Sequence, residues 1–390
     1  MNYLFSVIGV QNKNTPNYIL KYKDLVYTKL KPLGFVRWHY LEEIPIWIPR
    51  IMNPITKSAT LSDKIGICII NTPIDEGIIK DVLDAIKPDY VFTFRLPSNT
   101  DFIDDFTRVV KSFDDNIKVI VCGHNKPDYS IQDLCDELHI KNVLGYNYSI
   151  FKTNECIPRL QLSVGCDFDC EFCVTDRNII IRDYKDIKSD IDTMTELKFK
   201  LVRVDDNTFG QNANYKLLGL SYDDIKEFNN NFNGFIIRTS PVLAKNDYFC
   251  KELHNLGIKI VELGIESGDE EELKHFKKPF STSDSIDAIN NLNKLGLYVV
   301  ANIIVNSPFQ TEEAFNNTLA FIENNKNNIL YYNIHNYSDY KKLHTIDNDN
   351  TKFDTDEDTY KCSWLDDSVS AARLYKIYDF ATSELENLKL

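Results

Sequence analysis

Short apolar runs alternate along most of this chain with longer stretches whose apolar residues recur every three or four positions. The runs Tyr3–Val10, Ile65–Asn71, Tyr90–Phe94, Lys118–Cys122 and Asn142–Leu144 predict strands. Helical spacing over Gly77–Ile86, Phe102–Phe113 and Ile131–Leu138 predicts the helices between them. That order implies a parallel sheet in a doubly wound α/β domain over residues 1–150. Such sheets bind ligands at the carboxyl ends of their strands. Here those ends are Asn71–Thr72, Arg95–Thr100 and Gly123–Asn125. After a joining segment, residues 147–159, the rhythm resumes. Strands are expected at Leu160–Val164, Leu201–Val204, Gly234–Arg238, Ile258–Gly264 and Tyr298–Val305. Helices are expected at Asp186–Leu197, Tyr222–Asn229, Leu243–Leu256 and Ser283–Leu295. Repeated β/α units of this kind build a partial or full barrel, here over residues 151–315, with its chemistry at the strand C-termini.

The remaining stretch, residues 316–390, reads as a closing region that could face a substrate. ILYYNIHNYS has the alternation of a strand with Tyr331, Asn333, His335 and Tyr337 on one face. TIDNDNTKFDTDED is an acidic loop, expected to be exposed and mobile. Its Asp spacing lacks the central Gly of a calcium loop. Helical spacing over Val369–Leu388 closes the chain.

Composition narrows the class. The 390 residues suggest two or three domains, and 43% hydrophobic with 26% charged residues describe a globular protein. No run of about 18 apolar residues suggests a membrane span. The apolar YLFSVIGV has no basic residues before it and no cleavage site after it, so it reads as a first strand rather than a signal peptide. Nine cysteines without a paired framework point to a reducing, cytoplasmic setting. A net charge of −14 counts against nucleic acid as a partner.

The candidate chemistry centres on LSVGCDFDCEFCVTDR, where Cys166, Cys170 and Cys173 form a C-x3-C-x2-C run on one Gly-led loop. Three thiolates at that spacing can share one metal centre and leave a coordination position open. An iron–sulfur cluster normally takes four cysteines. A structural zinc site completed by Cys156 is the alternative, but zinc sites usually read as paired C-x2-4-C halves and the chain has no second pair.

The run, with Phe172 before its third cysteine, resembles the signature of the radical SAM superfamily. The resemblance implies a [4Fe–4S] cluster whose free iron holds S-adenosylmethionine. One electron then splits the sulfonium and yields a 5′-deoxyadenosyl radical. A flavodoxin or ferredoxin would be the electron donor. Phe172 is expected to pack near the adenine. Later strand ends look like phrases of the same family. In VRVDDNTFGQN, Asp205 and Asp206 stand where the family has Gly-Gly-Glu, and would meet the SAM ammonium. In IIRTSPVL, Arg238 would meet its carboxylate, and in VELGIESGDEEELK, Glu266 and Ser267 would reach the ribose. ANIIVNSPFQT resembles the usual Gly-x-Pro-Gly-Glu-Thr ending and keeps Pro308, while Asn306, Phe309 and Gln310 depart from it. A solvated turn, a surface ion pair and a helix N-terminal acid remain the ordinary readings of these positions.

KPDYVFTFRLPSNT, NIKVIVCGHNKPDY and KNVLGYNY resemble strand ends of the cobalamin-binding domains that precede many radical SAM cores. The likeness implies cobalamin contacts at Arg95, Ser98, Asn99, Gly123 and His124. No histidine sits in an Asp-x-His-x-x-Gly motif, and the expected glycine pair is half present at Cys122–Gly123. The subgroup's commonest chemistry is methylation of an unactivated carbon of a small molecule or peptide. A cobalamin-free epimerisation or rearrangement is the second reading, with Cys362 and Tyr337 as hydrogen donors. For Cys362 a small buried hydrophobe is the ordinary role. A non-catalytic zinc or iron–sulfur protein is the third. A methylthiotransferase is disfavoured, because Cys68, Cys122 and Cys135 do not form a second cluster's ligand set.

Overall fold

A computed structural model describes residues 1–9, 15–37, 45, 47–58, 63–71, 74–95, 100–123, 131–141, 145–151, 156–211, 218, 222, 225–227, 229–338, 355–356, 361–362 and 364–390. The chain divides into two units, Met1–Lys13 with Ile44–Tyr148, and Asn14–Glu43 with Ser149–Leu390.

In the first unit, four parallel strands lie in the order β2-β1-β3-β4. They are β1 (Asn2–Gly9), β2 (Lys64–Asn71), β3 (Tyr90–Arg95) and β4 (Lys118–Gly123). The order reverses between β1 and β3, which is the switch point where doubly wound sheets take ligands. Alternation sorts the side chains by face. Leu4 and Ile8 join Val91 and Val121 under Ile79 and Leu83 of one helix (Glu76–Ile86) and Ile103 and Phe106 of another (Thr100–Phe113). Phe5 and Phe92 turn the other way and stack at 5.0 Å, with Trp47 stacked on Phe94 at 5.8 Å. Trp47 opens a helix (Trp47–Ser58) that the periodicity does not announce, because Pro49 and Pro54 interrupt its pattern. The expected strand at Asn142–Leu144 lies outside the described residues, as do Ser98, Asn99 and His124.

The second unit holds six parallel strands in the order β12-β11-β10-β9-β8-β5, so each strand pairs with the one before it along the chain. They are β5 (Arg159–Leu160), β8 (Leu201–Val204), β9 (Gly234–Thr239), β10 (Ile258–Glu266), β11 (Tyr298–Val305) and β12 (Tyr331–Asn336). Two expectations are corrected. The first strand stops at Leu160, because the N–H groups of Leu162 and Ser163 bond to Asp206 instead of a neighbouring strand. Ser163–Val164 (β6) pairs antiparallel with Ile180–Ile181 (β7) and so closes the foot of the cysteine loop. The helix expected over Leu243–Leu256 is two, Pro241–Ala244 and Asp247–Asn255, because Asn246 caps the second by accepting from the N–H groups of Tyr248 and Phe249.

Residues 14–43, expected within the first domain, pack with this unit. Their helix α1 (Asn17–Leu30) buries Tyr22, whose hydroxyl donates to the Tyr332 carbonyl at 2.8 Å. The strand holding Tyr331 is the outer one of the sheet, yet Tyr331 and Tyr337 are buried and only His335 is exposed on that face. Helices Glu312–Asn325 and Asp367–Asn387 complete the unit. The acidic segment at 345–358 lies almost wholly outside the described residues. No helix among the described residues is long and apolar enough to cross a membrane.

Candidate functional site

The cysteine loop leaves β6 through Gly165, which sits at φ +99°. A Cβ there would lie 2.4 Å from the Asn178 carbonyl oxygen, so only glycine lets the loop's two ends approach so closely. The Cys166 N–H donates to the Asp176 carbonyl at 2.9 Å, and the Glu171 N–H to the Phe276 carbonyl at 3.1 Å. The loop leans on the C-terminal end of β8. Gly165 N–H bonds to Asn207 Oδ1 at 3.0 Å, and Cys166 Sγ lies 3.3 Å from Thr208 Oγ1. Cys173 Sγ stands 3.2 Å from Thr175 Oγ1 and 3.4 Å from the Thr175 nitrogen. Cys166 and Cys170 are buried and Cys173 half-buried.

Among the described residues no three His, Cys, Asp or Glu side chains converge as they would on a single metal ion. A cluster asks for something else, one thiolate for each of three irons. The surroundings suit it: soft sulfur donors on one loop, with hydroxyl and amide groups turned toward two of the sulfurs. Cys166, Cys170 and Cys173 would hold such a cluster and leave its fourth iron to S-adenosylmethionine.

The acids after β8 divide. Asp205 pairs with Arg159 at 2.9 Å. Asp206 is buried, and its Oδ1 accepts from the N–H groups of Leu162 at 2.8 Å and Ser163 at 3.0 Å. Its Oδ2 accepts from the Ser163 hydroxyl at 2.9 Å, which leaves one acceptor direction for an amino group. Burial pushes this carboxyl up to about 6 against the three hydrogen bonds that favour its charge. Elsewhere on the sheet Glu262, 1% exposed, pairs with Arg203 at 2.6 Å and Arg238 at 3.6 Å. Arg238 keeps its side chain 53% exposed, so a carboxylate could reach it.

Glu266 and Ser267, read together from the sequence, face different partners. Glu266 ends β10 at φ +65°, and its Oε1 accepts from Lys278 Nζ at 2.8 Å. Ser267 is fully buried. Its hydroxyl donates to Glu272 Oε2 at 2.7 Å, which places it in a polar knot rather than toward a ribose. Glu272 also accepts from Ser307 at 2.5 Å and Gln310 at 3.1 Å, and burial holds its carboxyl above the usual range. Pro308, between those two residues, is exposed. Gln310, a departure from the family ending, is thus a structural ligand of Glu272. Glu272, Lys278 and Glu262 escaped the sequence reading, because no spacing rule marks a polar residue whose partner lies on another strand or helix.

Phe172 packs edge-on against Phe276 at 5.4 Å and Tyr337 at 6.2 Å, and Tyr337 meets Trp364 at 5.8 Å. The Trp364 indole donates to the Asn306 carbonyl at 2.9 Å. Cys362, buried two residues before Trp364, has its thiol pushed up by burial and interacts with Ser370. Both candidate hydrogen donors therefore border the β11 and β12 ends, Tyr337 through the aromatic cluster that includes Phe172.

In the first unit, Ser6 and Thr93 are fully buried and neither hydroxyl has a partner. They lie one residue beyond the paired Phe5 and Phe92, on adjacent strands at the β1/β3 switch point. A buried hydroxyl without a partner costs about 1–3 kcal/mol. Two side by side at this position fit a polar ligand group entering there, as a cobalamin would require. The backbones of Arg95 and Gly123 end β3 and β4 at the same edge.

Residues 160–322 match the family model of the radical SAM superfamily. The chain is 29% identical over 171 residues to an uncharacterized methyltransferase of Synechocystis sp., a match covering 42% of this chain and 32% of that one. It is 24% identical over 201 residues to the hopanoid C-3 methylase of Methylococcus capsulatus, covering 50% and 38%. The matches thus span about a third of each relative's length. Among solved structures it is similar to the cobalamin-dependent S-adenosylmethionine radical enzyme OxsB with aqua-cobalamin and S-adenosylmethionine bound. That match has a TM-score of 0.55 at 14% identity, covers 88% of this chain and 54% of that chain, and shows the shared fold. The cysteine loop and the strands β8 to β11 thus lie within the stretch that matches the radical SAM superfamily.

Proposed function

We propose that this chain is a radical SAM enzyme that methylates an unactivated carbon of a small molecule or peptide, with cobalamin carrying the methyl group. When bound, the [4Fe–4S] cluster passes one electron to S-adenosylmethionine, and the cobalamin supplies a methyl group. A flavodoxin or ferredoxin is the matching electron donor. The chain's own residues bind and orient. Cys166, Cys170 and Cys173 hold the iron, and the half-exposed Arg238 takes the S-adenosylmethionine carboxylate. Asp206 fixes the strand before the cysteine loop and keeps one oxygen direction for the amino group, while Phe172 offers a ring face beside the loop. In the first unit, Ser6 and Thr93 receive a polar group of the cobalamin. With no Asp-x-His-x-x-Gly motif in the sequence, the chain would offer a bound cobalamin no histidine of that kind.

The observation that carries this reading is the presence in one chain of the three-cysteine loop, on a six-stranded parallel sheet, and of a switch point holding two unpartnered buried hydroxyls. The test is anaerobic reconstitution with iron and sulfide, followed by hydroxocobalamin and gel filtration. Retained, spectrally shifted cobalamin is expected, reduced at least tenfold in affinity in Ser6→Val/Thr93→Val. A cluster without cobalamin retention refutes methyl transfer and leaves the radical rearrangement or epimerisation, with Tyr337 and Cys362 as the donors to examine. Zinc without labile sulfide refutes both.

A further inference from the structure

The cysteine loop has a neighbour that neither the family motif nor the strand ends point to. A short helix, Glu270–His275, ends in a Schellman turn: the Lys278 N–H reaches the Leu273 carbonyl at 2.9 Å and the Lys277 N–H the Lys274 carbonyl at 2.9 Å. Lys277 occupies the left-handed position at φ +56°. That turn sends two successive lysines to opposite destinations. Lys277 goes out to Glu171 of the cysteine loop at 2.6 Å, and both side chains stay partly in solvent. Lys278 goes in. Its side chain is 9% exposed, its ammonium is 2.8 Å from Glu266 Oε1, and it stands 5.0 Å above the centre of the Phe172 ring. Phe172 lies between Cys170 and Cys173 in sequence, so the charge is held against the loop itself.

Glu266 is built to hold this cation. Its carboxylate folds back over Gly264, where a Cβ would lie 2.8 Å from Oε1. Its backbone adopts a left-handed conformation that costs a non-glycine residue of order 1–3 kcal/mol. Glu266 takes one of the three ammonium N–H groups of Lys278, and the charge lies over the ring of the cysteine loop.

We infer that Lys278 is a positioning residue for the cluster's electronic state, a fixed buried cation beside the cysteine loop whose field favours the reduced form and is trimmed by Glu266. Reduction adds one negative charge to the cluster, and a nearby cation in a poorly hydrated setting stabilises it more than the oxidised form. Glu266 opposes that field. Neutralising the two residues should therefore move the reduction potential in opposite directions, which loss of structure alone would not do.

This inference rests on the reading that the three cysteines hold the cluster. The test uses the full chain, reconstituted anaerobically with iron and sulfide and without S-adenosylmethionine. Iron and sulfide are assayed, and the midpoint potential is read by EPR during a dithionite titration. Lys278→Met should keep the iron and lower the potential, Lys278→Arg should return it toward wild type, and Glu266→Gln should raise it. Unmoved potentials in Lys278→Met and Glu266→Gln, each with full iron, overturn the inference. If Lys278→Met loses its iron, Glu266→Gln decides: a raised potential supports the inference and an unmoved one overturns it. A wild-type chain that takes up no cluster overturns the cysteine reading itself.

Discussion

Asp206→Asn isolates the cost of keeping a charge under the cysteine loop. Asp206 is buried, three donors from Leu162 and Ser163 face it, and the nearest charge is the like-signed Asp205. Burial is the largest influence and pushes the carboxyl from 3.8 up to about 6. At about 1.36 kcal/mol per pH unit, that difference corresponds to about 3 kcal/mol. The folded chain keeps this proton to higher pH than the unfolded chain, so the unfolded state gives it up first. Stability from this group is therefore full below about pH 4, falls as pH rises to about 6, and stays lower above that. Asparagine keeps an oxygen for the two backbone N–H groups and offers an N–H to the Ser163 hydroxyl, but cannot ionise. The two apo-proteins should be unfolded in urea from pH 4 to 7.5 under anaerobic conditions and followed by circular dichroism. Between those limits the Asn variant should gain about 3 kcal/mol relative to wild type. A difference that stays flat within about 1 kcal/mol would show that Asp206 is not a buried anion, and the argument for its orientation would fail.

Gly165→Ala forces a side chain onto the Asn178 carbonyl at a left-handed position. It should abolish iron and sulfide incorporation while far-ultraviolet circular dichroism stays native, and normal cluster content would contradict the loop geometry. Gly268→Ala should cost about 1–3 kcal/mol by thermal unfolding. A Cβ there would lie 2.5 Å from Phe321 Cβ and 2.8 Å from Thr318 Cα, so the helix Glu312–Asn325 would have to move back, and an unchanged melting temperature would refute that close approach.

The chain's periodicity was enough to place β1 to β4 in the first unit and β8 to β12 in the second. β8 and β11 run over the expected Leu201–Val204 and Tyr298–Val305, because a strand buried on both faces leaves a largely apolar run, interrupted here by Arg203 and Asn302. The cysteine loop was legible for a different reason: ligands that share one loop must be close in sequence. What could not be read is whatever depends on residues far apart along the chain. Leu160–Val164 looks like one strand, yet Asp206, more than 40 residues away, takes its N–H groups and ends it. The motif that suggested Glu266 and Ser267 as neighbours in a ligand pocket does not reveal that Ser267 turns inward to Glu272. Nor does it reveal that the second of two adjacent lysines is buried against Glu266 while the first stays in solvent. The segment 14–43 has the composition of its flanks, and only packing of Tyr22 under Tyr332 assigns it to the second unit. Apolar periodicity records which side of an element avoids water. Which polar group meets which is decided by where the chain brings them, since a buried charge or hydrogen-bonding group must find its partner wherever the fold supplies one.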